Sequence, residues 1–334
     1  METHKKVLGA EQPHTLVSMG NLASTYKRQG RWNEAEALEV QVMETRKKVL
    51  GAEHPDTLTS MCNLVVTLGK QGRWREAEAL EVPLKEAHLR ILGPEHPDTL
   101  TFMANLACTF ASQCRWNEAK ELEMQVIGTH KKVLGAEHPS TLTSMNNLAL
   151  TFGGQGRWDK AEELQMQVME ASKRVFGADH PDTLTSMANL AWTYKNQGRW
   201  DEAEGLGMQV METCKRVLGA EHPATLMSMN NLALTFGGQG RWDKAEGLQM
   251  QVMEASKRVF GTDHPDTLTS IANLALTYWN QGRWKEVEEL QAKELGICSR
   301  VLGEEHPDTL SSMANLASTY RNQGRWKEAE ELEV

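Results

Sequence analysis

The sequence is short of what most chemistries require. Its 334 residues include only 5 cysteines (Cys62, Cys108, Cys114, Cys214 and Cys298), and no two form a C-x-x-C pair. An odd number of thiols at unrelated places points away from a disulfide framework and from a structural zinc site, and suits a reducing compartment. No run of 18 apolar residues occurs, and the opening METHKKVLGAEQP has no apolar centre. Neither a membrane span nor a signal peptide is read, so a soluble cytoplasmic protein is expected. The phosphate loop G-x-x-x-x-G-K-[ST] is missing, and no nucleophile lies beside a base. An enzyme, a metal and a cofactor are therefore not expected. With 36 Lys plus Arg against 45 Asp plus Glu, the net charge of -9 argues against nucleic acid or an anionic membrane as partner.

What the chain does have is repetition. Pro13, Pro55, Pro97, Pro139, Pro181, Pro223, Pro265 and Pro307 return every 42 residues without a slip. A fixed period of this size marks a solenoid, whose units bury their apolar faces only against neighbours. The period overrides a two-domain division by length. One elongated domain over 1–334 is expected, with eight units in permuted phase. A partial second helix covers 1–12, repeats start at 13, 55, 97, 139, 181, 223 and 265, and a last partial repeat covers 307–334.

Counting from each proline as position 1, apolar residues fall at positions 4, 7, 10, 11 and 14, as in Leu142, Met145, Leu148, Ala149 and Phe152. That spacing predicts a helix, A, over positions 2 to 17, with the proline in its first turn. Gly at position 18 ends it in seven repeats, while Cys114 stands there in the third. Arg-Trp at positions 19 and 20 leads into a second stripe, Trp158, Ala161, Leu164, Val168, Val175 and Phe176, which predicts helix B. Glu162 and Glu163 near its start and Lys173 and Arg174 at its end suit the helix dipole, and Gly177 closes it. The fold class is all-α, built of helical hairpins.

Some places depart from the pattern. Pro83 inside helix B of the second repeat removes a hydrogen bond and costs about 3 kcal/mol, so a kink is expected. In the seventh repeat Val287 and the run from Gln291 to Gly296 replace the usual residues, which predicts looser stacking. Met1 and Val334 both fall inside helix B, leaving Ala329 and Leu332 partly uncovered. Solenoids need capping repeats, so a piece of a longer protein is expected, or head-to-tail complementation between copies.

Three segments, Asn-Leu-Ala-x-x-Tyr, Gly-Arg-Trp-x-Glu-Ala-Glu-x-Leu and Val-Leu-Gly-x-x-His-Pro, resemble the tetratricopeptide repeat in its long kinesin-light-chain form. The standard unit has about 34 residues. The resemblance implies a right-handed superhelix, with helix A lining a concave groove and helix B outside. It also implies that the asparagines at position 9 clamp the backbone of an extended peptide.

Tryptophans at position 20, from Trp32 to Trp326, are expected to pack. The histidines at position 42 (His54, His96, His138, His180, His222, His264, His306) stand about 10 Å apart, too far to share a metal, and a loop or capping role is expected. The asparagines at position 9 differ, because they flank the apolar stripe on a helix that disfavours them. They are Asn21, Asn63, Asn105, Asn147, Asn189, Asn231, Asn273 and Asn315. An amide donates and accepts, so it serves a peptide backbone, or else bonds the neighbouring repeat.

Position 12 reads Ser24, Val66, Cys108, Leu150, Trp192, Leu234, Leu276 and Ser318, apolar in the middle. Trp192 and Trp279 lie outside the tryptophan ladder and suit binding anchors. Lys27, Arg28, Lys70, Lys195 and Arg321 make the groove basic, and Gly153-Gly154 and Gly237-Gly238 leave floor space. The expected function is a protein interaction scaffold holding an extended or short helical peptide, acidic with an apolar anchor. Its site comprises Asn63, Asn105, Asn147, Asn189, Asn231, Asn273, Leu150, Trp192, Leu234, Leu276, Trp279, Lys70 and Lys195. The alternative is a self-associating array or the sensor part of a larger receptor.

Overall fold

A computed structural model describes residues 11–333, so most of the partial helix expected over 1–12 lies outside the described residues. The chain divides into two compact units, one ending at Val175 and one starting at Phe176. The described residues hold sixteen helices and no strand. The first unit contains α1 (Pro13–Arg28), α2 (Trp32–Leu50), α3 (Pro55–Lys70), α4 (Trp74–Ile91), α5 (Pro97–Ser112), α6 (Trp116–Val133), α7 (Pro139–Gly154) and α8 (Trp158–Phe176, its last residue past the division). The second contains α9 (Pro181–Asn196), α10 (Trp200–Leu218), α11 (Pro223–Gly238), α12 (Trp242–Phe260), α13 (Pro265–Asn280), α14 (Trp284–Leu302), α15 (Pro307–Asn322) and α16 (Trp326–Glu333). Odd numbers are helix A and even numbers helix B. Among the described residues no helix is long and apolar enough to cross a membrane.

Local chemistry sets where each helix starts and stops. From α3 onward every helix A begins at its proline, and the preceding histidine caps it: Nδ1 accepts the backbone N–H two residues on at 3.2 Å, from His54 through His306. The imidazole nitrogen does what a serine or aspartate oxygen usually does at this place. Helix α1 follows Gln12 and has no side-chain cap. A buried threonine at position 3 ties the loop to the helix, as where Thr183 Oγ1 donates to the Gly177 carbonyl at 2.8 Å.

Inside each hairpin a small residue at position 23 lets the two helices close up: Ala35, Ala119, Ala203 and Ala245 are fully buried. In the sixth repeat Ala245 packs with Met229, Leu232, Phe236 and Val252. The seventh repeat is not loosened at this place. Val287 is also fully buried and joins Met253, Ile271, Leu274 and Tyr278, so the two extra methyls fill space instead of opening it. Helix α4 runs through Pro83 without a break, with the proline and Ala79, whose carbonyl loses its partner, both on the exposed side. Ala329 is buried rather than uncovered, Leu332 is half-buried, and it is Trp326 that stands 66% exposed.

Arginine at position 19 links successive repeats. Arg115 lies over the Phe110 ring of its own helix A at 4.2 Å, and Arg283 over Tyr278 at 4.1 Å. The same guanidinium reaches back to the glutamate at position 24 of the preceding repeat: Arg73 to Glu36, Arg115 to Glu78 and Arg325 to Glu288, each at 2.7 Å. The glutamine at position 17 donates to the same carboxylates, Gln71, Gln113 and Gln323 each at 2.9 Å. At the third-to-fourth junction Lys120 replaces the glutamate, and Arg157 keeps only Gln155 at 3.5 Å and the Phe152 ring at 5.0 Å.

The third repeat also carries a strained turn. Position 18 has positive φ throughout, 72° at Gly156 and 76° at Gly198, and Cys114 is held there at 59°. A residue with a Cβ is disfavoured in that conformation by about 1 kcal/mol. Cys114→Gly is therefore expected to raise stability by about that amount in thermal unfolding followed by circular dichroism. A lowered midpoint would contradict it.

Candidate functional site

Helix A of the fifth repeat buries Thr183, Leu184, Ser186, Met187, Leu190, Ala191, Thr193 and Tyr194, at positions 3, 4, 6, 7, 10, 11, 13 and 14. Positions 9 and 12 therefore share the uncovered side. Within each unit consecutive A helices touch directly, α5 with α7, α9 with α11 and α11 with α13, while each B helix packs mainly on the A helices beside it. The A-lined side is thus the inner one.

The position-9 asparagines line it. Asn63, Asn105 and Asn231 are exposed, and Asn147, Asn189 and Asn273 are half-buried. Asn273 Nδ2 donates to Asn230 Oδ1 of the preceding repeat at 3.0 Å. Among the described residues, no other side-chain amide of this ladder has a protein partner. At position 12 Leu150, Trp192 and Leu276 are exposed and Leu234 is half-buried. Trp279 is half-buried and meets Trp284 edge-on at 4.8 Å, so it extends the tryptophan ladder as well as facing the inner side.

Cavities open between consecutive A helices. One of about 200 Å³ between α1 and α3 is lined by Asn21, Ser24, Glu39 and Asn63. One of about 130 Å³ between α9 and α11 is lined by Trp192, Lys195, Gly207, Asn231 and Leu234. One of about 350 Å³ between α13 and α15 is lined by Asn273, Leu276, Trp279, Gln291 and Asn315. In all three, position 27 of helix B contributes to the lining (Glu39, Gly207 and Gln291). Sequence reasoning passed over this position. Its signal was a polar residue inside the apolar stripe of helix B, such as Gln165 between Leu164 and Val168.

Two expectations about the groove are corrected. The glycine pairs do not leave floor space: a Cβ on Gly154 would lie 2.5 Å from the Trp116 ring, and one on Gly238 closer still to Trp200. In these two repeats the tryptophan of the preceding repeat sits on the position-16 glycine. Nor are the basic residues uniformly available. Lys27 is bound to the buried Glu39 at 2.8 Å, Lys70 is exposed, and Lys195 is half-buried, with burial holding its ammonium below the ordinary lysine range.

The buried carboxylates at position 27 have different fates. Glu39 has Lys27. Glu81 and Glu123, only 4% and 3% exposed, have no cation, and burial pushes each up to about 7 although Thr109 and Thr151 donate to them. The folded state holds these protons more tightly than the unfolded chain, whose glutamates titrate near about 4.3. Stability from this source is complete below that value, falls as pH rises toward about 7, and stays lost above it. With allowance for solvent screening the cost above pH 7 is about 2 kcal/mol for each group. The double change Glu81→Gln and Glu123→Gln, giving the residue found at Gln165, Gln249 and Gln291, is expected to raise the unfolding midpoint at pH 8 and leave it nearly unchanged at pH 4. Equal gains at both pH values would contradict this.

Among the described residues no group of three or more His, Cys, Asp or Glu could hold a metal. Helical hairpins stacked at a fixed 42-residue period define a repeat scaffold. Tetratricopeptide-repeat models match residues 15–56, 57–98 and 99–140, and 125–173, 153–212, 194–257, 237–295 and 270–333. The chain belongs to the tetratricopeptide-repeat family, and its repeats are like those of kinesin light chains. A solved structure of nearly identical TPR-like repeats of kinesin-light-chain type from Podosopora anserina is 32% identical, covers 62% of this chain and 98% of its own, and superposes with a TM-score of 0.52. BtubC from P. vanneervenii is 19% identical over 70% of this chain and 87% of its own, with a TM-score of 0.52. The apo quorum sensor NprR from B. thuringiensis shares the fold at 13% identity, covering 96% of this chain and 85% of its own, with a TM-score of 0.63. No curated protein matches the chain.

Proposed function

We propose that this tetratricopeptide-repeat scaffold binds a partner protein by holding an extended or short helical segment of it along the inner, A-lined side. The observation that carries the reading is the asparagine ladder. A polar side chain is kept at position 9 of every repeat, on a helix that disfavours it, and apart from Asn273 these amides are left without protein partners. An amide free to donate and accept can pair with a peptide unit whatever side chain that unit carries. In the second unit Trp192, Leu234 and Leu276 offer an apolar stripe beside it, and in the first Leu150 stands at the same repeat position; exposed Lys70 and half-buried Lys195 favour acidic residues in the bound segment.

The test compares partners captured by the unmodified chain with those captured by a variant carrying Asn189→Ala, Asn231→Ala and Trp192→Ala, after circular dichroism shows equal helicity. Loss of the main partners, by about tenfold or more in captured amount, is expected if the anchor behaves as interface anchors usually do. Identical capture would move binding to the B helices. Capture by neither, with particle mass rising with concentration, would favour association among copies.

A further inference from the structure

Position 15 of helix A and position 27 of helix B come together in the hairpin. In the first repeat both are charged: Lys27 Nζ lies 2.8 Å from Glu39 Oε1, and Glu39 Oε2 accepts from Thr67 Oγ1, at position 13 of the next repeat, at 2.5 Å. The fifth repeat keeps the lysine as Lys195 and the following threonine as Thr235, but it has Gly207 where the carboxylate should stand. No other described repeat with a complete helix B has glycine there; the others carry Glu39, Glu81, Glu123, Gln165, Gln249 and Gln291.

Nothing in the fifth repeat replaces the missing group. Lys195 makes no ion pair, and burial alone lowers its affinity for the proton. Thr235 Oγ1 turns back to the Asn231 carbonyl at 3.1 Å. The vacated place remains open as the cavity of about 130 Å³ between α9 and α11. The rest of its wall is mainly apolar, with Trp192, Val210 and Leu234 in it; Ser228 also lines it, its hydroxyl donating to the Thr225 carbonyl at 2.7 Å, and Asn231 of the asparagine ladder stands at its side. An ammonium group drawn out of water without a counter-charge is unfavourable, and a carboxylate brought to it recovers that loss.

We propose that this cavity is a slot for one glutamate side chain of an extended partner peptide, which takes the place that Glu39 holds in the first repeat. The carboxylate meets Lys195 and the Thr235 hydroxyl, the methylenes lie against Val210 and Leu234, and Asn231 holds the peptide backbone above. This rests on the inner side being the peptide-binding side. The slot adds to that reading a single place where the bound sequence must be acidic. A glutamine there leaves the ammonium uncompensated, and a lysine is repelled.

The test uses the full chain and two capped, fluorescein-labelled peptides, Gly-Ser-Leu-Gly-Glu-Gly-Leu-Ser-Gly and its counterpart with Gln for Glu, followed by fluorescence anisotropy. The glutamate peptide is expected to bind about tenfold more tightly, the usual scale for one charge-assisted contact. Gly207→Glu supplies the missing carboxylate from within and should bring the glutamate peptide down to the level of the glutamine one. Its Cβ meets Leu232 Cδ1 at 3.2 Å, the movable end of a side chain, so the fold should accept it. Lys195→Gln should also abolish the preference, whereas Asn189→Ala with Asn231→Ala should weaken both peptides alike. Equal binding of the two peptides, or a preference that survives Gly207→Glu, overturns the slot and leaves the inner-side reading standing. Absence of binding by either peptide at millimolar concentration overturns both.

Discussion

A 42-residue hairpin cannot cover its own apolar face, so the structure depends on what fixes one hairpin against the next. The arginine at position 19 does this at the turn. Where helix A carries an aromatic ring at position 14, it lies over that ring while its guanidinium closes on the glutamate at position 24 of the repeat before, as Arg115 does with Phe110 and Glu78. Planar, always charged and rich in donors, arginine can stack and pair at once, which lysine cannot. Hydrophobic burial drives the stacking, but burial is non-directional. The clasp is directional, and at the junctions within a unit that carry it, it ties one repeat to the next at a fixed point.

A fixed register has a consequence on the inner side. Within each unit, successive repeats bring the position-9 residues into one row and the position-12 residues into another, while position 27 rises between A helices to reach the cavities. The rows then differ only by which residue occupies them. Asparagine is held constant along the first row, size and polarity vary along the second, and charge varies along the third, from Glu39 through Gln165 to Gly207. A scaffold of near-identical units can in this way present a surface that is uniform in backbone geometry and specific in side chains.

Most of the architecture was legible in the sequence because it is written in local periods. The apolar spacing places α7 from Pro139 and α8 from Trp158, and the proline and glycine signals mark ends that the structure keeps. For the histidines the sequence leaves a loop or a capping role, and the structure shows the cap, Nδ1 accepting the backbone N–H two residues on. The misread parts of the site depend on residues about one repeat apart. Gly154 looks like open floor until Trp116, 38 positions earlier, is seen to sit on it. Lys27 looks like a free groove cation until helix B turns Glu39 back beneath it. Position 27 itself reads as a blemish in an apolar stripe, and it acquires a role only when the threonine of the next repeat arrives.

The junction between the third and fourth repeats offers the most direct measurement of the clasp, because there Lys120 leaves Arg157 without a carboxylate. Lys120→Glu should complete the clasp and raise the unfolding free energy of the chain by about 1 kcal/mol, the scale of a partly buried, well-formed arginine–carboxylate pair. In a double-mutant cycle Arg157→Ala should cancel that gain. A gain that persists without Arg157, or no gain at all, would show that packing alone sets the register.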